Sequence, residues 1–116
     1  MLFMPSDGRE ALVHIRYYIE LIGRFVEGYD FPRFADDPRT FHAVTRCLEI
    51  ISEASRRIPE EVKARHPLLP WRQMADAGNK YRHEYEDVAE RVVWATVRDA
   101  LPPLLHVIRV ELGPDE

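Results

Sequence analysis

Apolar residues recur at spacings of three and four in three long blocks of this sequence, and no stretch alternates with a period of two. That pattern fits α-helices burying one stripe each, and it excludes a sheet-based core. In the first block, residues 9–29, the stripe is Leu12, Ile15, Ile19, Ile22 and Val26. Asp7 with Glu10 three residues later reads as a capping box at its start, and Gly28 as its end. The second block opens at Asp37-Pro38, an N-cap acid followed by proline at the first helical position, and buries Phe41, Val44, Leu48 and Ile51. It should stop near Ile58, because Pro59 disfavours helical geometry in the residue before it. The last block, residues 88–112, carries Val93, Val97, Leu101, Leu104 and Ile108. Pro102-Pro103 inside it predicts a kink or a restart.

Between these blocks the signals are shorter. Phe31 to Pro38, with two prolines and the pair Asp36-Asp37, reads as a polar connection. Pro59 opens a short helix over residues 60–65. His66-Pro67-Leu68-Leu69-Pro70 forms a second connection, with Pro70 suited to the first position of a helix beginning at Trp71. That helix must end, bend or tolerate a glycine at Gly78-Asn79. A chain of 116 residues with 46% hydrophobic and 31% charged residues holds one core, so residues 1–116 form a single domain. The expected fold is an all-α up-and-down bundle of four to five helices.

Charge and cysteine content narrow the function. The net charge of −4 argues against a protein that coats duplex DNA or binds it specifically. Cys47 is the single cysteine and the five histidines are scattered, which excludes zinc-finger spacing and gives no reason to expect a metal or another cofactor. The short apolar start Met1 to Pro5 lacks a basic flank and an extended apolar run, and no stretch approaches a membrane span, so a cytoplasmic protein is expected. Residues 56–82 contain seven basic and three acidic residues. This basic segment, with Arg72 and Lys80 beside Trp71 and Tyr81, suits single-stranded RNA, although a charged helical surface is the commoner meaning of such a run.

The segment from Gly78 to Asp87 carries the most chemistry: Asn79, Lys80, Tyr81, Arg82, His83, Glu84, Tyr85, Glu86 and Asp87 follow in order. If the helix continues through His83, Asn79 and His83 share a face at i,i+4. Asn79 would then orient an imidazole able to act as general base on a ribose 2′-hydroxyl without a metal. Tyr85, at i,i+2 from His83, converges with it only if the helix ends near His83 or a second subunit brings the two together. An ordinary capping histidine and a partly buried tyrosine also fit these residues.

With Leu48-Glu49-Ile50-Ile51-Ser52-Glu53-Ala54, the Pro70-Trp71 helix start, His83-x-Tyr85, Val93-Trp94 and Leu101-Pro102-Pro103-Leu104 in that order, the chain resembles the HepT-like proteins of the HEPN superfamily over nearly its whole length. The resemblance implies an all-α homodimer with the two motifs facing across the dimer cleft. It implies a metal-independent endoribonuclease of the toxin–antitoxin type. The partner would be a minimal nucleotidyltransferase antitoxin that transfers AMP onto the motif tyrosine, Tyr85. The family motif is Arg, four residues, His, one residue, Tyr, and the Arg position is Gly78 here, followed by Asn79. Losing a group that stabilises the pentavalent phosphate costs about 10²–10³ in rate. Arg82, Arg72 or an arginine of the second subunit would have to replace it. On this reading His83, Asn79 and Arg82 are catalytic, Tyr85 accepts AMP or contacts phosphate, Arg72, Lys80 and Trp71 bind RNA, and the products carry 2′,3′-cyclic phosphate and 5′-hydroxyl ends. The alternative implied by Gly78 is a catalytically silent binding module that docks the nucleotidyltransferase.

Overall fold

Asp37 begins the central helix as an N-cap: its carboxylate accepts the backbone N–H of Thr40 at 3.2 Å, with Pro38 in the first turn. Tyr29 Oη donates to the same carboxylate at 2.5 Å, and the Thr40 hydroxyl donates at 2.8 Å. These bonds hold the Asp37 carboxyl well down, at about 2. The computed structural model describes residues 8–83 and 89–114, apart from the side chains of Arg82 and His83.

The helices are α1 (Arg9–Phe25), α2 (Phe31–Ala35), α3 (Pro38–Ser55), α4 (Glu60–Arg65), α5 (Trp71–His83), α6 (Glu90–Ala95) and α7 (Leu101–Leu112). Among the described residues there is no strand. The fold is an all-α bundle in which α3 packs against α1 on one side and α5 on the other, and α7 lies against α1. The stripes read from the sequence supply the core: Leu12, Ile15, Ile19 and Ile22 meet Phe41, Val44, Leu48 and Ile51, with Val93, Leu101, Leu104 and Ile108 closing over them. Val26 and Val97 lie half-buried at its margin. None of the helices among the described residues is long and apolar enough to cross a membrane.

Three local features refine the sequence expectations. Helix α1 starts from Gly8 in the left-handed region, φ 89°, where a Cβ would meet Pro59 Cδ at 2.3 Å. Asp7, the proposed cap, lies outside the described residues. Helix α1 ends at Phe25, and Gly28 takes φ 78° in the turn that follows. Second, Phe31 to Ala35 is a helix rather than a connection. Pro32 sits in its first turn, where the missing N–H has no helical acceptor to lose, and Asp30 caps it by accepting the Arg33 N–H at 3.0 Å. This short helix inserts Phe34, 0% exposed, between Phe41 and Trp94, with ring centroids 6.0 and 5.0 Å away. Third, the Pro102-Pro103 break takes the form of a π-helical segment, Thr96–Ala100, that joins α6 to α7. Two adjacent prolines cannot donate to the carbonyls four residues back, and the widened turn absorbs the mismatch.

Candidate active site

Helix α5 carries the chemistry-bearing segment, and its start is anchored twice. The Pro70 carbonyl accepts the Met74 N–H at 2.9 Å, which places Pro70 just before the helix rather than inside it. The Trp71 indole N–H donates to the His66 carbonyl at 2.9 Å. Helical geometry then persists past Gly78 to His83, so the glycine is tolerated in mid-helix.

That continuity sets the register. Arg72, Asp76, Asn79 and His83 stand at i, i+4, i+7 and i+11 and therefore share one stripe of α5. Arg72, Asp76 and Asn79 are exposed, as is Lys80 beside them. Gly78 is buried and Met74, Ala77 and Tyr81 are half-buried on the opposite face. Tyr85 and the side chains of Arg82 and His83 lie outside the described residues.

The aromatics expected beside the basic groups sit differently. Trp71 and Tyr81 are half-buried and pack against the core, so neither stands open as a stacking platform. Burial pushes the Tyr81 hydroxyl up from its ordinary pKa, and a hydrogen bond with Thr96 pulls it part of the way back. Tyr81 lines an apolar cavity of about 570 Å³ between α3, α5 and α7, with Leu48, Ile51, Met74 and Leu104 among its other walls. The aromatic ring thus faces the core while Asn79 and His83 belong to the other side of the helix.

Two residues of α3 that motif reading left unassigned shape this helix. Ser52, 2% exposed, places its hydroxyl between α5 backbone groups: it donates to the Met74 carbonyl at 2.7 Å and accepts the Gly78 N–H at 2.8 Å. It thereby bridges two α5 backbone groups that stand four residues apart in the helix. One turn further along α3, Arg56 Nη2 donates to the Ala75 carbonyl at 2.7 Å. A serine and a glycine at otherwise apolar positions of two helices were the sequence signal for this close crossing.

Away from this helix, Glu111 of α7 receives a two-pronged contact from Arg65, Nη2 at 2.7 Å and Nε at 3.1 Å, and meets His66 Nε2 at 2.6 Å. The Arg65 hydrogen bonds lead in holding the Glu111 carboxyl down at about 2, against burial, with His66 adding to them. Among the described residues no group of three or more His, Cys, Asp and Glu side chains is placed to hold a metal ion.

The family model described as Ribonuclease HepT-like matches residues 15–111. A protein of Thermococcus cleftensis named "Probable ribonuclease HepT" is 43% identical over 101 residues, covering 87% of this chain and 92% of the relative. A protein of Caldanaerobacter subterraneus subsp. tengcongensis, named as a putative RNase, is 36% identical over 96 residues, 83% of this chain and 86% of its own length. A similarly named protein of Methanocaldococcus jannaschii is 31% identical over 102 residues, 87% and 88% of the two chains. No solved structure matches the chain. The match spans α3, α5 and α7 together, and it agrees with the helical architecture: the chain belongs to the ribonuclease HepT-like family.

Proposed function

We propose that this protein is a metal-independent endoribonuclease of the toxin–antitoxin type. The observation that carries the reading is the unbroken course of α5 through His83, which sets Asn79 and His83 one turn apart on a stripe that also bears exposed Arg72. His83 removes the proton of a ribose 2′-hydroxyl, Asn79 orients the imidazole, and Arg82, Arg72 and Lys80 hold the RNA phosphates. The 2′-oxygen attacks the adjacent phosphorus and the 5′-oxygen leaves, giving a 2′,3′-cyclic phosphate and a 5′-hydroxyl. The active species is a homodimer with its two α5 motifs facing one another in the cytoplasm. Its partner is a nucleotidyltransferase antitoxin that silences it by placing AMP on Tyr85. The relatives named as ribonucleases support the activity.

A second reading has its own observation. Gly78 is buried with its N–H on Ser52, so position 78 supplies no cation to the site. On that reading the chain is a silent module that docks the nucleotidyltransferase. Cleavage of RNA by the unmodified protein in chelator, compared with His83→Ala, separates the two. Activity lost in the variant, with cyclic-phosphate ends, supports the nuclease; equal inactivity of both proteins supports the module.

A further inference from the structure

We propose that the edge formed by α2 and α6 binds single-stranded RNA through Arg91 and Arg98, two guanidinium groups held over aromatic rings; the choice of RNA rests on the ribonuclease reading above. Helix α2 packs against α6. The Arg91 guanidinium carbon stands over the Phe31 ring, 4.8 Å from its centroid, and the Phe34 and Trp94 ring centroids are 5.0 Å apart. Two residues three apart on α2 thus meet two residues three apart on α6. The π-helical segment that follows α6 then brings Arg98 over the same Trp94 ring, at 5.6 Å. Arg33 lies over Tyr29 at 4.0 Å and extends the pattern along α2. Among the described residues every arginine–aromatic pair falls at this edge, so the pattern belongs to it and not to the surface at large.

These cations are open to a ligand. Arg91 and Arg98 are exposed, while Phe31 and Trp94 beneath them are half-buried. Among the described residues neither guanidinium pairs with a carboxylate, whereas Arg46, Arg65 and Arg109 hold Glu49, Glu111 and Glu20. Asp99, the neighbour of Arg98, lines the cavity against α5 together with Thr96. A guanidinium resting on a ring has lost rotamer freedom before any ligand arrives, so binding costs it less entropy. Its N–H fork suits phosphate, and its plane suits an unpaired base. Held over different rings, the two groups make separate contacts with the strand.

A stack that only packs α2 against α6 is the structural role for the same pairs, and RNA binding separates the two. The full chain is titrated with a fluorescent single-stranded 2′-O-methyl oligonucleotide, which cannot be cleaved, over a range of salt. Wild type is compared with Arg91→Ala/Arg98→Ala, with Arg91→Lys/Arg98→Lys, and with Arg46→Ala/Arg109→Ala, which removes two paired cations from other helices. Melting temperature checks folding, gel filtration checks the oligomeric state, and a poly-glutamate peptide of equal charge serves as the rival acidic ligand. Each phosphate contact to a single strand contributes about 0.7 to the slope of log K against log salt. Arg91→Ala/Arg98→Ala should therefore lower that slope by about 1.4 and weaken binding by about tenfold, and the Arg46→Ala/Arg109→Ala protein should change far less. The double lysine protein should keep the slope and lose affinity, because an ammonium carries the charge without the planar face. Unchanged binding by a folded Arg91→Ala/Arg98→Ala protein, an equal loss in Arg46→Ala/Arg109→Ala, or equal affinity for poly-glutamate overturns the proposal. An altered oligomeric state with RNA affinity intact also overturns it and assigns the edge to a second copy of the chain. Cleavage of the matching ribo-oligonucleotide is followed on the same samples. Binding that needs both arginines, with no cleavage by the wild type, upholds this edge and sinks the nuclease; equal binding and equal cleavage by wild type and Arg91→Ala/Arg98→Ala keep the nuclease and sink the edge.

Discussion

The Ser52 hydroxyl takes the N–H of Gly78 across the crossing of α3 and α5, at 2.8 Å, while donating to the Met74 carbonyl at 2.7 Å. One hydroxyl group thus bonds two backbone groups of a neighbouring helix at the turn where a glycine leaves room for the close approach. Removing that oxygen takes a cross-helix partner from the buried Gly78 N–H and from the part-buried Met74 carbonyl. Ser52→Ala should therefore lower stability by about 1–3 kcal/mol, measured as a shift in the urea midpoint. An unchanged midpoint would show that bonds within α5 satisfy Gly78 and Met74 without Ser52.

The Arg65–Glu111–His66 group makes stability depend on acid. Glu111 has its folded pKa depressed from 4.5 to about 2, so its contribution is fully present above pH 4.5 and is lost as pH falls toward 2. Arg65 is largely exposed, and solvent screening keeps the effect to about 1 kcal/mol. Glu111→Gln should lower stability at pH 7 by that amount, and its urea midpoint should fall less than that of the wild type between pH 5 and 2. Parallel pH profiles for the two proteins would refute the assignment.

The Asp37 cap ties the start of α3 to Tyr29 as well as to Thr40. Tyr29→Phe deletes one hydrogen bond and keeps the ring, whereas Asp37→Ala removes the acceptor for all three groups. The melting temperature should fall by a few degrees in Asp37→Ala and by less in Tyr29→Phe. Equal losses would mean that the cap acts through the tyrosine alone.

These relationships differ in how far the sequence discloses them. Helices α1 and α3 were legible because each buries a regular stripe, and Asp37-Pro38 marks a start by local chemistry alone. Helix α2 was not: five residues are too few to show a period, and Pro32 and Asp36-Asp37 read as breakers although proline is at ease in a first turn. Phe34, fully buried, was missed with it. In α5 the shared stripe of Asn79 and His83 followed from spacing once the helix proved continuous. The Ser52–Gly78 and Arg56–Ala75 bonds join residues 26 and 19 positions apart, and no periodicity carries that pairing. The half-burial of Trp71 and Tyr81 was not legible either, since residue type alone does not say which side of a helix faces the core.

Cys47 is the chain's one thiol and lies buried in α3, where burial pushes its pKa up from the ordinary thiol value. Both effects keep the thiolate scarce and out of reach of solutes. A water-soluble disulfide reagent should label the native protein far more slowly than the urea-unfolded protein at the same pH. Equal rates would show that this stretch of α3 opens without global unfolding.

His83 and Tyr85 carry separate roles in the proposed mechanism. If His83 is the base and Tyr85 the AMP acceptor, the two side chains can be removed independently. His83→Ala should abolish RNA cleavage yet still gain the mass of an AMP group when incubated with the nucleotidyltransferase, ATP and magnesium. Tyr85→Phe should gain no mass, and any cleavage it retains should be insensitive to that treatment, because the ring survives while the acceptor oxygen is gone. Intact-mass spectrometry and an RNA gel on the same samples read both outcomes. Mass gained by Tyr85→Phe would move the acceptor to another residue. Unmodified wild-type protein that remained inactive, beside a stable complex with the nucleotidyltransferase, would make the docking module the function of this chain.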